Sequence, residues 1–254
     1  MNAPAPLLSL RGVGKRFGAV KALSGVDFDV AAGEIVALVG DNGAGKSTLI
    51  KTISGAGPAD SGRFTLGGAE VKIGSPQDAR DLGIAVVYQD LALCDNLDVV
   101  ANLFLGRERG AWPGPAPLDE LAMETRAKEL LDWMKVRTLR SLRMEVGALS
   151  GGQRQSIAIL RALVHEPKLV ILDEPTAALG VAQTEQVLAL VQNLKQRGLG
   201  VVLISHNLAD VFAVADRIVV LRLGRNAGEF AARDTNRAAV VAAISGAHAT
   251  GAAA

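Results

Sequence analysis

One octapeptide limits the fold more than anything else in this chain. Gly40-Asp41-Asn42-Gly43-Ala44-Gly45-Lys46-Ser47 fits the pattern GxxxxGK[ST]. The apolar run Ile35 to Val39 precedes it, and a helical pattern from Lys46 to Ser54 follows. That order predicts a strand, a phosphate-binding loop and a helix. The glycines let the backbone curl so that successive N–H groups face an anion. The helix start adds about half a positive charge. Gly40, Asn42, Gly43, Ala44, Gly45, Lys46, Ser47 and Thr48 are therefore candidate nucleotide-binding residues. Lys46 is suited to the β and γ phosphates, and the Ser47 hydroxyl to Mg²⁺.

Further apolar runs at Ile84–Tyr88, Leu169–Leu172 and Val201–Ile204 lack polar alternation. They predict parallel strands covered on both faces. Helical patterns at Gly151–His165 and Val181–Arg197 complete an α/β core. Around it, Leu7–Leu10 and Val26–Val30 read as short strands, and Gly62–Ile73 as a hairpin turning at Gly67-Gly68. The expected fold is thus a parallel sheet with an N-terminal antiparallel β-subdomain. Residues from about Asp90 to Gly147 contain no strong strand run. They hold a breaker cluster from Trp112 to Pro117 and a helical stretch from Leu118 to Val136, which predicts an inserted helical subdomain. No internal repeat is visible. The expected division is one unit: 1–89 and 156–245 as core, 90–155 as helical insertion and 246–254 as a tail.

The 254 residues carry 27 Lys and Arg against 26 Asp and Glu, for a net charge of +1, which argues against a generally basic nucleic-acid-binding surface. Arg137, Arg140 and Arg143 recur at a spacing of three and read as a solvated basic helix face. Cys94 stands alone and reads as a small buried or interfacial residue, a usage that fits a reducing compartment. No signal peptide is expected at the N-terminus, and no apolar run approaches the roughly 18 residues of a spanning helix.

Two further segments carry chemistry. Leu169 to Glu174 is an apolar strand ending in two acids. Asp173 is suited to Mg²⁺ and Glu174 to polarising a water, the alternative being a simple strand-ending turn. Leu149-Ser150-Gly151-Gly152-Gln153 places a good N-cap before two glycines, which makes a second potential anion site or an ordinary capped helix.

Together, these three motifs resemble those of ATP-binding cassette (ABC) ATPases over roughly residues 7 to 230. The resemblance implies that Phe17 stacks on adenine, although a core aromatic would also fit. It implies that Gln89 joins core to helical subdomain and reaches the metal, that His206 is the switch histidine touching the γ-phosphate, and that Ser150, Gly151, Gly152 and Gln153 bind the nucleotide of a second copy. Glu174, His206, Gln89 and Lys46 would then be the catalytic set, with ATP as nucleotide and Mg²⁺ held by Ser47, Gln89 and Asp173. After Pro175-Thr176 the chain departs from the general family pattern, because Gly180 stands where an Asp is usual. That variant, with Val87–Leu93 and Val99–Glu108, is similar to the branch that imports monosaccharides such as ribose, xylose or fructose. A positive φ is expected at Gly180, where the chain turns into the next helix.

The reading this implies is an importer ATPase on the cytoplasmic face of the membrane. Its partners would be permease subunits, a second copy of itself and, indirectly, an extracytoplasmic solute-binding protein; nucleic acid is not expected. A non-transport ABC ATPase and an importer of another solute, such as an amino acid, are the alternatives. A small-molecule kinase would leave Leu149 to Gln153 unexplained.

Overall fold

The computed structural model describes residues 6–108 and 118–247. The breaker cluster 112–117 and most of the expected tail, 248–254, lie outside the described residues.

Two sheets organise the chain. The first is antiparallel, in the order β2-β1-β4-β5, and is built from β1 (Leu8–Phe17), β2 (Val20–Val30), β4 (Ser61–Leu66) and β5 (Ala69–Val71). The hairpin at Gly67-Gly68 forms as expected. The first two strands run far longer than Leu7–Leu10 and Val26–Val30. Register shifts between Leu10 and Val13, Val13 and Lys15, and Lys15 and Arg16 break their apolar alternation while pairing continues.

The second sheet has the order β10-β9-β3-β8-β7-β6. Its parallel members are β3 (Ile35–Val39), β6 (Ile84–Val87), β7 (Leu169–Asp173), β8 (Gly200–Ile204) and β9 (Arg217–Arg222). An antiparallel edge strand, β10 (Arg225–Ala231), closes one side. The sequence reading missed β9 and β10, although Ile218 to Leu221 is itself an uninterrupted apolar run.

The apolar runs follow from burial on both faces. In β7, Leu169 and Ile171 join one core with β1, β2 and α1 (Lys46–Ile53), whereas Val170 and Leu172 join another. That other core also holds α3 (Val99–Phe104), α4 (Glu120–Trp133), α5 (Gly151–Leu163) and α6 (Val181–Gln196). Val201 and Leu203 of β8 face this helical core, and Val202 and Ile204 face the β-subdomain. A third, smaller core packs Ala37 and Val39 against α7 (Leu208–Val214) and α8 (Arg237–Ser245). The remaining helix, α2 (Pro76–Asp81), starts at a Ser75 capping box.

α5 crosses the expected subdomain boundary at 155/156 without a break, so the helical region and the core share one helix. The basic triplet is not a helix face. α4 ends at Trp133, so Arg137, Arg140 and Arg143 follow on a loop, where Arg143 pairs with Asp98, Glu120 and Glu124. Cys94 is half-buried, with its backbone held by the fully buried Asn102 side chain. Among the described residues, no helix is long and apolar enough to cross a membrane.

Candidate nucleotide site

The carboxyl ends of β3 and β7 open into one cleft of about 560 Å³. It is lined by Phe17, by Asn42 through Thr48 and by Gln89, Asp173 and Glu174. The cleft therefore brings together most of the residues expected from sequence. Gly40 lies beneath it, with φ 150° and the carbonyl of Leu221 only 2.2 Å from where a Cβ would stand. No other residue fits there. Gly45 opens α1 with φ 105° and no side-chain cap, so the first-turn N–H groups of that helix are left for a ligand. The Lys46 ammonium folds over the loop and donates to the carbonyls of Gly40 at 2.6 Å and Asp41 at 3.0 Å.

Phe17 and Val20 pair across the two-residue turn at the tip of the β1–β2 hairpin. Phe17 is 56% exposed, which excludes the core-aromatic alternative. Its ring lies 5.7 Å from the ammonium of Lys15, which is itself tied to Asp60 and the carbonyl of Pro58. Sequence reasoning missed Val20, Lys21, Ala22, Leu223 and Gly224 in the lining. They come from two turns distant in sequence, and neither carries a recognisable motif.

Asp173 ends β7 opposite Ile204 of β8. Burial, reinforced by neighbouring Glu174, pushes its carboxyl above the usual carboxylate range, and Lys46 opposes that shift. Glu174 has φ 50°, and its N–H donates to the carbonyl of Ile204 at 3.0 Å. The Glu174 side chain is largely buried, and its Oε2 lies 2.8 Å from Nδ1 of His206, whose own backbone N–H points to the same oxygen at 3.4 Å. His206 thus joins the cleft by holding its acid.

Ser150, Gly151, Gly152 and Gln153 do not line this cleft. They open α5 in a capping box: the Gln153 N–H donates to Ser150 Oγ at 3.4 Å, and the Ser150 N–H donates to Gln153 Oε1 at 2.9 Å. The Gln153 amide also donates to the carbonyl of Thr138, so its side chain is committed within this chain. At the other end of α5, the Arg161 guanidinium donates to the carbonyls of Leu91 and Ala92, just beyond Gln89.

The expectation at Gly180 is overturned. It has φ −73° and ψ 165°, an extended N-cap conformation open to any residue. The chain makes its turn earlier, at Ala178, with φ 58°.

A phosphate-binding loop beside a strand-end acid pair defines a nucleotide-binding α/β protein. The ABC transporter family matches residues 23–177, and the chain belongs to it. The fructose import ATP-binding protein FrcA of Rhizobium meliloti is 46% identical over 251 residues, covering 96% of each chain. The xylose/arabinose import ATP-binding protein XylG of Sulfolobus acidocaldarius is 49% identical over 219 residues, covering 86% of each. Among solved structures, an ABC-transporter cassette in its ADP conformation superposes with a TM-score of 0.79 at 29% identity, covering 95% of both chains. A dimeric cassette in a post-hydrolysis state, bound to ADP and Pi, gives 0.72 at 27% identity over 90% of this chain and all of that one.

Proposed function

We propose that this chain is the ATP-hydrolysing subunit of a monosaccharide importer. One observation carries the reading: a phosphate-binding loop, an exposed aromatic and a paired acid converge on one cleft, in a chain close in sequence to two sugar-import ATP-binding proteins. Phe17 takes the adenine face, and the N–H groups of the loop glycines and of Lys46 to Thr48 bind phosphate oxygens. Lys46 exchanges its two backbone carbonyls for the β and γ phosphates. Glu174 accepts a proton from the attacking water, and His206 fixes the carboxylate that receives it.

The hydroxyl of Ser47, the amide of Gln89 and the carboxylate of Asp173 are hard oxygen donors on one cleft, which suits Mg²⁺. No cluster of three or more acidic, His or Cys side chains able to hold a metal occurs among the described residues. When bound, Mg²⁺ neutralises charge developing on the phosphates.

The capped start of α5 at Ser150 lies outside the cleft of its own chain. This supports a head-to-tail pair in which Ser150, Gly151 and Gly152 bind the other copy's γ-phosphate, with Gln153 acting through the cap. That a similar cassette is dimeric when bound to ADP and Pi supports pairing of two copies. We place the pair on the cytoplasmic face of the membrane against permease subunits, with the solute-binding protein acting from the other side. The test is uptake of labelled fructose, xylose and ribose by cells lacking this chain and complemented with wild type or Glu174→Gln. Loss of uptake of one of these sugars, restored only by wild type, is expected. Unchanged uptake of all three, with Mg²⁺-ATPase activity intact in the purified chain, would overturn the sugar assignment.

A further inference from the structure

The turn that carries Glu174 holds two non-glycine residues in the left-handed region: Glu174 at φ 50° and Ala178 at φ 58°. Such conformations persist only where their surroundings over-determine them. At each end the turn is restrained by backbone bonds, Glu174 N–H to the carbonyl of Ile204 and Leu179 N–H to that of Thr176. Its middle is restrained by a side chain. The Thr176 hydroxyl donates to Asp210 Oδ2 at 2.6 Å, with the two residues only 9% and 7% exposed.

Asp210 is a costly group to bury, and neither it nor Thr176 lines the nucleotide cleft. Its place in the first turn of α7 offsets part of that cost through the helix dipole. The pair also joins two segments that matter. Thr176 lies two residues beyond Glu174, and Asp210 four residues beyond His206. The bond therefore ties the turn after β7 to the first turn of α7, the helix that follows His206, while Glu174 and His206 meet directly at 2.8 Å.

We propose that Thr176 and Asp210 are a positioning pair. Their buried hydrogen bond holds the strained Glu174 turn in register with His206, so that the carboxylate is aimed at the water position before nucleotide arrives. The proposal rests on the reading of Glu174 as the group that accepts the water's proton. Neither residue touches substrate, so loss of the bond should lower kcat and leave the Michaelis constant for ATP unchanged.

The test uses the full chain with Mg²⁺-ATP. Thr176→Val keeps the shape and removes the hydroxyl. It should lower kcat by about tenfold to a hundredfold, the cost of a misplacement of about 1 Å, with the Michaelis constant within about twofold. Thr176→Ser should restore most of the rate. Asp210→Asn, which keeps the volume but accepts as a neutral amide, should fall between wild type and Thr176→Val. In single-turnover assays on a Glu174→Gln background, Thr176→Val should cost nothing more, because the group it aims has already been removed. Wild-type kcat in Thr176→Val, failure of Ser to rescue, or an equal loss in the Glu174→Gln background would each overturn the positioning role. Near-wild-type turnover in Glu174→Gln itself would instead overturn the underlying reading of Glu174.

Discussion

Gly180→Asp restores the carboxylate usual in the family at a position this chain leaves bare, and its consequences can be worked out from the local geometry. The backbone already has the β-region angles of an N-cap, and a Cβ there meets nothing within 4 Å. The existing bond from Gly180 N–H to Gln183 Oε1 uses the backbone, so it survives the change. Three gains then add. An Asp N-cap improves on Gly by a few tenths of a kcal/mol, at about 0.3. A carboxylate at the start of α6, whose first turn holds no acid, adds about 0.3–1 kcal/mol at low salt. Removing a glycine from the unfolded chain adds about 0.4–1 kcal/mol. With overlap between these terms, the net is about 1 kcal/mol, or roughly 2–4 °C in Tm for a domain of this size. The measurement is thermal unfolding without nucleotide, at low and high salt. A rise that shrinks with salt is expected; an unchanged or lower Tm would refute the N-cap argument. A separate assay, ATPase rate against protein concentration, reads the dimer. One charge-assisted hydrogen bond from each copy to the other, at about 1 kcal/mol apiece, should shift the concentration at half-maximal rate about thirtyfold lower.

Lys46→Ala should abolish tight nucleotide binding, whereas Glu174→Gln should bind ATP and hydrolyse it orders of magnitude more slowly, as isothermal titration and single-turnover kinetics would measure. Phe17→Ala should raise the Michaelis constant for ATP several-fold, consistent with about 1 kcal/mol of stacking, and leave Tm nearly unchanged because the ring is exposed. Glu174→Gln with ATP should run as a dimer on gel filtration, and adding Ser150→Arg should leave it a monomer. For Asp173 the sign follows from a folded-state pKa that is raised: the charged carboxylate costs stability above that pKa, and the cost vanishes as pH falls to the ordinary value. Asp173→Asn should therefore raise the Tm of the nucleotide-free chain at neutral pH and lose that advantage towards about pH 4.

The phosphate loop and the parallel strands were legible because their signals are local: a fixed glycine spacing and short runs buried on both faces. The lengths of β1 and β2 were not, since bulges carry the pairing through Gly12, Gly14 and Lys15, where no alternation remains. Gly180 misled because glycine before a helix suggests a positive φ, and the chain places its left-handed residue at Ala178 instead. The contact of Glu174 with His206 and the bond of Thr176 to Asp210 join residues more than thirty positions apart, and only the register of β7 against β8 brings them together. Gln153 carries a family motif, yet its side chain is taken up at its own helix: the Ser150-x-x-Gln153 spacing signals the cap, but not the second bond to the carbonyl of Thr138 fifteen positions away.

α5 is anchored at both ends to things of different kinds. Its first residues are held by the Ser150 capping box and by Gln153 on the Thr138 carbonyl, and Arg161 near its last turn grips the backbone just past Gln89. At 1.5 Å per residue, its 13 residues span about 20 Å. A helix of that length behaves as a stiff lever, so a pivot of about 5° at the Ser150 end sweeps the Arg161 end through about 1.7 Å. That is enough to break a hydrogen bond whose usable range is a few tenths of an ångström. Leu91 and Ala92 must therefore travel with the helix or be released from it, and any tilt that begins at one surface is delivered, nearly undiminished, to the other.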